Sequence, residues 1–284
     1  MRYWQWALAS ALLASTALVS AQAADVTQQR LENTKNEPQN WLTSLGDYGA
    51  QRFSTLNQIN RDNVKNLKVA FTVPLSSALK GLPATAGPLE NPPLVNDGIM
   101  YVNDSWGTVY RIDVSDGVWP KISWVTDPAV DKAGSYGHYT RGLALWGNQA
   151  FVNLIDGRVV AMNATTGEIT WDVMLAGQNK AEFPETAAEA FTAAPLTADG
   201  KVLVGQSKGD WGTRGWLAAL DVRDGKQLWR TYTVPAKGEP GNETWKDDHN
   251  AWRTGGAALW ATGSYDPALK TTYWGTANPV PMFD

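Results

Sequence analysis

A motif that occurs three times along the chain sets the strongest limit on its fold. Each copy has an apolar strand, an Asp or Asn, and a tight turn that ends in Gly. The copies begin VYRIDVSDG, VVAMNATTGEITW and LAALDVRDGKQLW, and their glycines, Gly117, Gly167 and Gly225, lie 50 and 58 residues apart. Glycine suits such turns because it adopts a positive φ without steric cost. Several short strands per repeat and a period near 50 residues predict a β-propeller with one blade per repeat.

A tryptophan closes each copy of the motif and predicts how neighbouring blades pack. Trp171 and Trp229 end the second and third copies, whereas Trp124 follows an insertion that contains Pro120 in the first. We expect these indoles to dock between blades, because each repeat buries its apolar face only against its neighbours. Further strands precede the copies, in DGIMYVND, GNQAFVNLIDG and DGKVLVGQSKG. Residues 264–275 begin a fourth repeat, with the turn SYDPALK and the strand TTYWG.

The composition excludes several classes of function. The 284 residues carry a formal net charge of −4, so there is no basic excess to neutralise the phosphates of a nucleic acid. The sequence has no Cys, which excludes disulfides, thiolate metal sites, CxxCH haem attachment and a lipidated Cys anchor. With two His residues, a His-rich metal centre is not expected. The 15 Trp, 26 Gly and 15 Pro residues are typical of a β protein with Gly-containing turns and large rings between its layers.

The N-terminus has the form of a secretory signal peptide over residues 1–23. Arg2 precedes an apolar stretch at residues 6–19, and Ala21 and Ala23 form a small-x-small cleavage site. The alternative is an uncleaved anchor helix, although the apolar stretch is short for a bilayer. No later stretch of about twenty apolar residues occurs. We therefore expect residues 24–284 to be exported to a bacterial periplasm without a transmembrane anchor.

Two long motifs resemble one family of enzymes. AWRTGGAALWATGSYDPALKTTYWGTANPVP, near the C-terminus, and NWLTSLGDYGAQRFSTLNQINRDNVKNLKVAF, from Asn40, are similar to segments of the pyrroloquinoline quinone (PQQ)-dependent alcohol dehydrogenases, including the methanol dehydrogenase large subunit. The resemblance implies an all-β propeller that has eight blades in the family, of which about four are expected here. Because the chain stops in mid-motif at Asp284, we expect residues 24–284 to be the N-terminal part of a truncated propeller.

The resemblance implies a stacking tryptophan and two metal ligands. Trp260 matches the indole on which the flat cofactor lies, and Asn278 matches an amide ligand of the metal. We expect one strand to carry Trp260 to the propeller axis, a hairpin to turn at Asp266, and the return strand to deliver Asn278. Asp210, in GQSKGDWGTRGW, stands where the family has the longer Glu as the second ligand. Judged without the family, Trp260 would be ordinary core and Asn278 a capped turn before Pro279.

Four further residues match positions that contact the cofactor in the family. Thr192 and Ser207 match two hydroxyls, and Glu90 matches a carboxylate near the cofactor. Arg141 matches the arginine that pairs with the quinone oxygens, a role that suits a planar guanidinium. As alternatives, Glu90 and Thr192 form only loop hydrogen bonds, and Arg141 is a solvated charge.

The chain departs from the family at two places. Where the family often has adjacent cysteines, this chain has Ser135 and Tyr136, so the disulfide that walls the cofactor cannot form. Tyr136 or His138 is a candidate for an aromatic lid in its place. The catalytic Asp of the family has no match in this sequence. We therefore expect the catalytic residue beyond Asp284 and an inactive fragment in isolation.

The resemblance thus implies a periplasmic oxidoreductase that converts an alcohol to an aldehyde or ketone. It would use PQQ and a bound Ca²⁺ or lanthanide ion, and it would pass electrons to a cytochrome c. The sequence carries no signal for the substrate or the oligomeric state. One alternative is a cofactor-free propeller that acts as a protein-binding scaffold and retains neither PQQ nor Ca²⁺. Another is a carbohydrate-binding protein, for which the Trp content is the argument.

Overall fold

The computed structural model describes residues 23–75, 87–132, 139–177, 189–246 and 249–281. The expected signal peptide up to residue 22, Ser135, and the candidate lid residues Tyr136 and His138 lie outside these ranges. An α-helix, α1 (Gln28–Glu32), is capped by the Thr27 side chain, which accepts a hydrogen bond from the backbone of Arg30. Across the described ranges, no helix is both long and apolar enough to cross a lipid bilayer. Short 3₁₀ helices occupy Thr34–Asn36, Val64–Asn66, Gly209–Trp211, Asn242–Thr244 and Ala251–Thr254.

The described strands form three antiparallel sheets of four strands and one of two, each joined in chain order. The first sheet contains β1 (Leu94–Asn96), β2 (Ile99–Asn103), β3 (Val109–Asp113) and β4 (Lys121–Thr126). The second contains β5 (Leu143–Trp146), β6 (Gln149–Asn153), β7 (Arg158–Asn163) and β8 (Ile169–Met174). The third contains β9 (Leu196–Ala198), β10 (Lys201–Gly205), β11 (Trp216–Asp221) and β12 (Gln227–Tyr232). The fourth is a hairpin of β13 (Ser264–Asp266) and β14 (Thr271–Tyr273).

The sheets are arranged radially, as the propeller prediction requires. The inner strands are mostly buried, whereas the fourth strand of each complete sheet is largely exposed. Strand β5 contacts β2 of the preceding sheet and β9 of the next, so the inner strands of neighbouring sheets lie side by side. In all three complete sheets, the register shifts once between the third and fourth strands. Each sheet is therefore one propeller blade, and its Gly-containing turn joins the third and fourth strands on the outer rim.

The closing tryptophan of the first blade docks on the turn of the second blade. The Trp124 indole donates a hydrogen bond to the carbonyl of Ala164 at 3.2 Å. A Cβ atom added to Gly167 would lie 2.7 Å from Cδ2 of Trp124, closer than such atoms approach. The indole therefore occupies the space above Gly167 that any side chain would need, and the predicted docking between these blades is confirmed.

The second blade repeats this contact on the third. The Trp171 indole donates to the carbonyl of Val222 at 3.0 Å, and a Cβ on Gly225 would lie 2.8 Å from Cε3 of Trp171. At the two ends of this series the contact has no counterpart within the described residues. The side chain of Trp229 is 37% exposed, and no atom lies within 4 Å of the Cβ position of Gly117.

Residues 26–52, which we call the N-terminal segment, contact the inner side of all four sheets. Trp41 forms an antiparallel bridge with Val95 of β1, through backbone hydrogen bonds of 2.8 and 2.9 Å. Val26 forms a second bridge with Gly147, in the turn between β5 and β6. These bridges use backbone groups at the inner edges of the first two blades that would otherwise remain unpaired.

Tyr48 extends the N-terminal segment to the third and fourth sheets. Its buried hydroxyl lies 2.9 Å from the carbonyl of Thr197 in β9. Its own carbonyl accepts a hydrogen bond from the backbone of Tyr265 in β13, and the two rings meet edge to face with centroids 5.0 Å apart. Burial raises the pKa of the Tyr48 phenol, so the hydroxyl stays protonated and donates a hydrogen bond.

An ionic cluster holds the start of this segment. Arg30 binds Glu37 at 2.5 Å and lies 3.4 Å from Asp97 in the turn between β1 and β2. The Asn40 amide donates to Glu37 and accepts a hydrogen bond from the backbone of Asp97. The hydrogen bond from Arg30 lowers the pKa of Glu37, against the opposing effect of burial. This cluster links α1 to the first blade.

Candidate functional site

The predicted cofactor residues come from corresponding positions in the four blades. Glu90, Thr192 and Trp260 each lie four residues before the first strand of their blade, and Arg141 lies two residues before β5. The inner strands of neighbouring blades lie side by side, so the residues that precede the first strands gather at one end of the propeller axis. This repetition explains how residues separated by up to 170 positions in the sequence reach one region.

Thr192 links the second and third blades and contacts a second predicted site residue. Its carbonyl accepts a hydrogen bond of 2.9 Å from the backbone of Arg141. Its hydroxyl and its backbone N–H both donate to Oγ of Ser207, at 2.9 and 3.1 Å. Both side chains are buried. Because Ser207 accepts both bonds, its own hydroxyl proton is left for a further acceptor.

Arg141 connects Glu90 with Trp260. The guanidinium forms an ion pair of 2.9 Å with the Glu90 carboxylate, and its central carbon lies 5.2 Å from the centroid of the Trp260 ring. The Trp260 side chain is 50% exposed, which contradicts the alternative that it is ordinary core. Arg141 is paired and half-buried, so the alternative of a solvated charge does not hold either.

These three residues line a cavity of about 490 Å³. The other lining residues come from the N-terminal segment and from the two blade entries: Trp41, Ser44, Leu45, Arg52, Pro92, Ala261 and Thr262. The sequence motifs alone assign no role to Trp41 or Arg52, although both lie in the family-like motif that begins at Asn40. Their contribution depends on contacts between residues far apart in the sequence.

Asp210 lies on an exposed turn just after β10. The turn is a 3₁₀ helix with left-handed residues on both sides, Lys208 at φ 75° and Gly212 at φ 79°. Gly209, which precedes Asp210, packs so closely on Ala258 that an added Cβ would lie 2.8 Å from the Ala258 Cβ. The close approach brings the Asp210 backbone next to residues 256–258, two positions before Trp260.

Asn278 lies beside the same segment. Its carbonyl accepts a hydrogen bond of 2.9 Å from the backbone of Ala257. Its side-chain nitrogen donates to the carbonyl of Pro279 at 3.0 Å, which leaves the amide oxygen available as a ligand. Residues 256–258 thus have Gly209 and Asn278 as neighbours. One carboxylate and one amide oxygen are hard donors, which suit Ca²⁺ or a lanthanide.

No larger cation cluster accompanies this pair in the described ranges. There, no group of three or more His, Cys, Asp or Glu side chains has an arrangement that could hold a metal ion. A cation at Asp210 and Asn278 would therefore need ligands other than the carboxylate, thiolate and imidazole groups of the described residues.

The expectation that strands carry Trp260 and Asn278 is wrong. The hairpin turns after Asp266 as expected, but Trp260 precedes β13 and Asn278 follows β14, both outside regular strands. The reason is the close approach of two loops, since Leu259 donates to the carbonyl of Gln206 and a Cβ on Gly205 would lie 2.5 Å from the Leu259 carbonyl oxygen. Isolated contacts, and not a continuous β-ladder, thus hold the segments that carry Trp260 and Asn278.

The chain belongs to the PQQ-dependent dehydrogenase β-propeller family. A model of that family, described as the glucose/ethanol/alcohol dehydrogenase beta-propeller domain, matches residues 41–283. The match includes all seven predicted site residues and residues 41–52 of the N-terminal segment.

Relatives of known activity cover most of this chain. A quinohemoprotein alcohol dehydrogenase of Pseudomonas putida, ADH IIB, is 34% identical over 278 residues, which make up 93% of this chain and 37% of that protein. A lanthanide-dependent methanol dehydrogenase of Methylacidiphilum fumariolicum is 31% identical, over 94% of this chain and 45% of its own length. The solved structure of ADHIIG from Pseudomonas putida HK5 matches with a TM-score of 0.78 at 31% identity, over 92% of this chain and 37% of that one. The chain thus spans less than half the length of these relatives.

Proposed function

We propose that this chain forms the PQQ- and metal-binding part of a periplasmic quinoprotein that oxidises an alcohol to an aldehyde or ketone. The observation that carries the proposal is the cavity where an exposed indole, an oriented guanidinium and a carboxylate meet. Its volume lies within the range of about 300–1,000 Å³ that is usual for small-molecule sites. Further support comes from relatives named as quinohemoprotein alcohol and methanol dehydrogenases.

Three cavity residues and the Thr192–Ser207 pair, which is bonded to the backbone of Arg141, have roles in this proposal. The exposed face of Trp260 stacks on the flat cofactor, an interaction worth about 1 kcal/mol beyond the area that it buries. Arg141, oriented by Glu90, offers planar N–H donors to the cofactor oxygens. Ser207, held by Thr192, donates its remaining hydroxyl proton. PQQ, when bound, accepts the electrons removed from the alcohol.

Asp210 and Asn278 are the proposed protein ligands of a Ca²⁺ or lanthanide ion. Both offer oxygen donors, and a bound cation of this kind polarises an oxygen next to it as a Lewis acid. Asp210 is one methylene shorter than the Glu of the family. We therefore expect the wild-type chain to hold the ion less tightly than the Asp210→Glu variant would.

The first experiment measures PQQ retention by equilibrium dialysis in the presence of Ca²⁺. We expect the wild-type chain to retain PQQ and Trp260→Ala to bind it at least tenfold more weakly, which corresponds to about 1.4 kcal/mol. Trp119→Ala is the matched control, because Trp119 is highly exposed on the outer rim. A wild-type chain that retains neither PQQ nor Ca²⁺ would support the scaffold alternative instead.

The second experiment measures the metal site by Tb³⁺ luminescence. Asp210→Asn removes the only charged ligand proposed in this chain, so we expect at least a tenfold loss of Tb³⁺ affinity. Asp210→Glu should bind more tightly than the wild type. Asp224→Asn, on an outer turn, changes the net charge equally and serves as the control. Equal effects of the substitutions at positions 210 and 224 would exclude Asp210 as a ligand.

We further propose that residues 1–23 direct export and that a cytochrome c accepts the electrons. Expression in a bacterial host with fractionation and mass spectrometry tests the first point, with a mature N-terminus at Ala24 expected in the periplasm. Full-length protein in the cytosol would contradict it. For the second point, the chain loaded with chemically reduced PQQ should reduce added cytochrome c, and an unchanged cytochrome spectrum would contradict the assignment.

A further inference from the structure

The cavity beside Trp260 contains more positive than negative charge. Two guanidinium groups, those of Arg52 and Arg141, line it together with one carboxylate, that of Glu90. Glu90 is already paired with Arg141 at 2.9 Å. Within the described ranges, no carboxylate forms an ion pair with Arg52. One cationic charge is therefore available at the cavity for an anion from outside the chain.

The backbone conformation that presents Arg52 is an unusual one. Arg52 has φ 51°, in the left-handed region, and Ala50 has φ 58°. Residues other than Gly rarely adopt this backbone conformation, and the residues that do adopt it concentrate at ligand sites. The turn is held by hydrogen bonds from Arg52 to the carbonyl of Leu45 and from Gln51 to the Asp47 side chain.

The neighbours of Arg52 indicate the shape of the anion. The indoles of Trp41 and Trp260 line the same cavity, and Trp260 is half exposed. Aromatic faces favour a flat ligand, and guanidinium groups favour planar oxyanions that accept two parallel hydrogen bonds. A flat aromatic polycarboxylate combines both features.

We propose that Arg52 binds a carboxylate of such a ligand, as a second cationic contact in addition to Arg141. The inference rests on the proposed function, in which the flat polycarboxylate is PQQ. It assigns a cofactor-binding role to the N-terminal segment, which the blades alone do not supply. The contact also links ligand binding to the segment that joins all four sheets.

The test compares Arg52→Gln with Arg61→Gln in PQQ dialysis at low and high salt. Arg61 is also exposed, lies nine residues along the same part of the chain and carries the same charge, but it does not line the cavity. We expect Arg52→Gln to raise the dissociation constant for PQQ at least tenfold at low salt and less at high salt. Arg52→Lys should restore part of the affinity, and Arg61→Gln should leave it unchanged.

The trimethyl ester of PQQ separates a charge contact from a structural role. Because the ester has no carboxylate charge, Arg52→Gln should bind it as well as the wild type does. Equal loss of PQQ and ester binding, or equal PQQ affinity for the Gln variants at positions 52 and 61, would overturn the inference and leave the proposed function intact. Failure of the wild-type chain to bind PQQ would overturn both.

Discussion

At the scale of single residues, the contact between a Trp and a Gly decides how closely two blades approach. The indole rings of Trp124 and Trp171 lie where a side chain on the next turn would be, so only Gly fits there. The hydrogen bond from each indole to a backbone carbonyl satisfies the polar end of an otherwise buried ring. Packing against the indole and the left-handed backbone conformation thus both require Gly in this turn.

Gly117 and Gly225 allow the requirement for a positive φ to be measured separately from the requirement for space under an indole. Gly117 and Gly225 have nearly the same φ, 70° and 71°, but only Gly225 lies under an indole. Gly117→Ala should cost roughly 1–2 kcal/mol from the left-handed backbone alone. Gly225→Ala should cost about 1–3 kcal/mol more, because its Cβ would lie 2.8 Å from the Trp171 ring. Urea denaturation of both variants measures the difference, and equal destabilisation would contradict the docking argument.

At the scale of elements, the outer strands are predictable from the sequence and the innermost ones are not. The repeated motif and the strand before it contain β2 to β4 and their counterparts, because Gly turns and alternating apolar residues mark them. The first strands, β1, β5 and β9, have only three or four residues and are mostly buried, so no periodicity reveals them.

The candidate site likewise contains residues that the sequence predicts and residues that it does not. Thr192 and Ser207 were predicted by matching motifs, and the structure brings them within hydrogen-bonding distance. Arg52 could not be assigned, because its place at the cavity depends on a segment whose partners lie in four different blades.

The ionic cluster of the N-terminal segment predicts a dependence of stability on pH. The pKa of Glu37 is lowered in the folded state by Arg30, so its stabilisation is present above the unfolded pKa of about 4.3 and is lost as the pH falls below it. Glu37→Gln should cost about 1 kcal/mol at pH 7. The difference from the wild type should shrink below about pH 4.

Denaturation midpoints at pH 7 and pH 3 measure this effect. Glu168→Gln, on an exposed turn of the second blade, is the control and should show no such change. If Glu37→Gln destabilises the chain equally at both pH values, the carboxylate charge has no part in holding the segment.

At the scale of the whole molecule, one tyrosine ties the N-terminal segment to the third and fourth sheets. Tyr48→Phe removes the hydroxyl and leaves the buried carbonyl of Thr197 without this donor, at an expected cost of about 1–2 kcal/mol. Tyr273→Phe is the control, because Tyr273 is half exposed on the fourth sheet. Chemical denaturation measures the cost. Similar values for the two variants would show that the N-terminal segment is only loosely held at β9.

The N-terminal segment also has a consequence for the order of folding. Blades stack through contacts between successive repeats, whereas Tyr48 and Thr197 are 149 positions apart. Long separations of this kind slow folding, because a large loop must close before the contact forms. The part of the chain that leaves the ribosome first therefore completes its contacts last. Until the hairpin of β13 and β14 has formed, the N-terminal segment lacks the contact between Tyr48 and Tyr265.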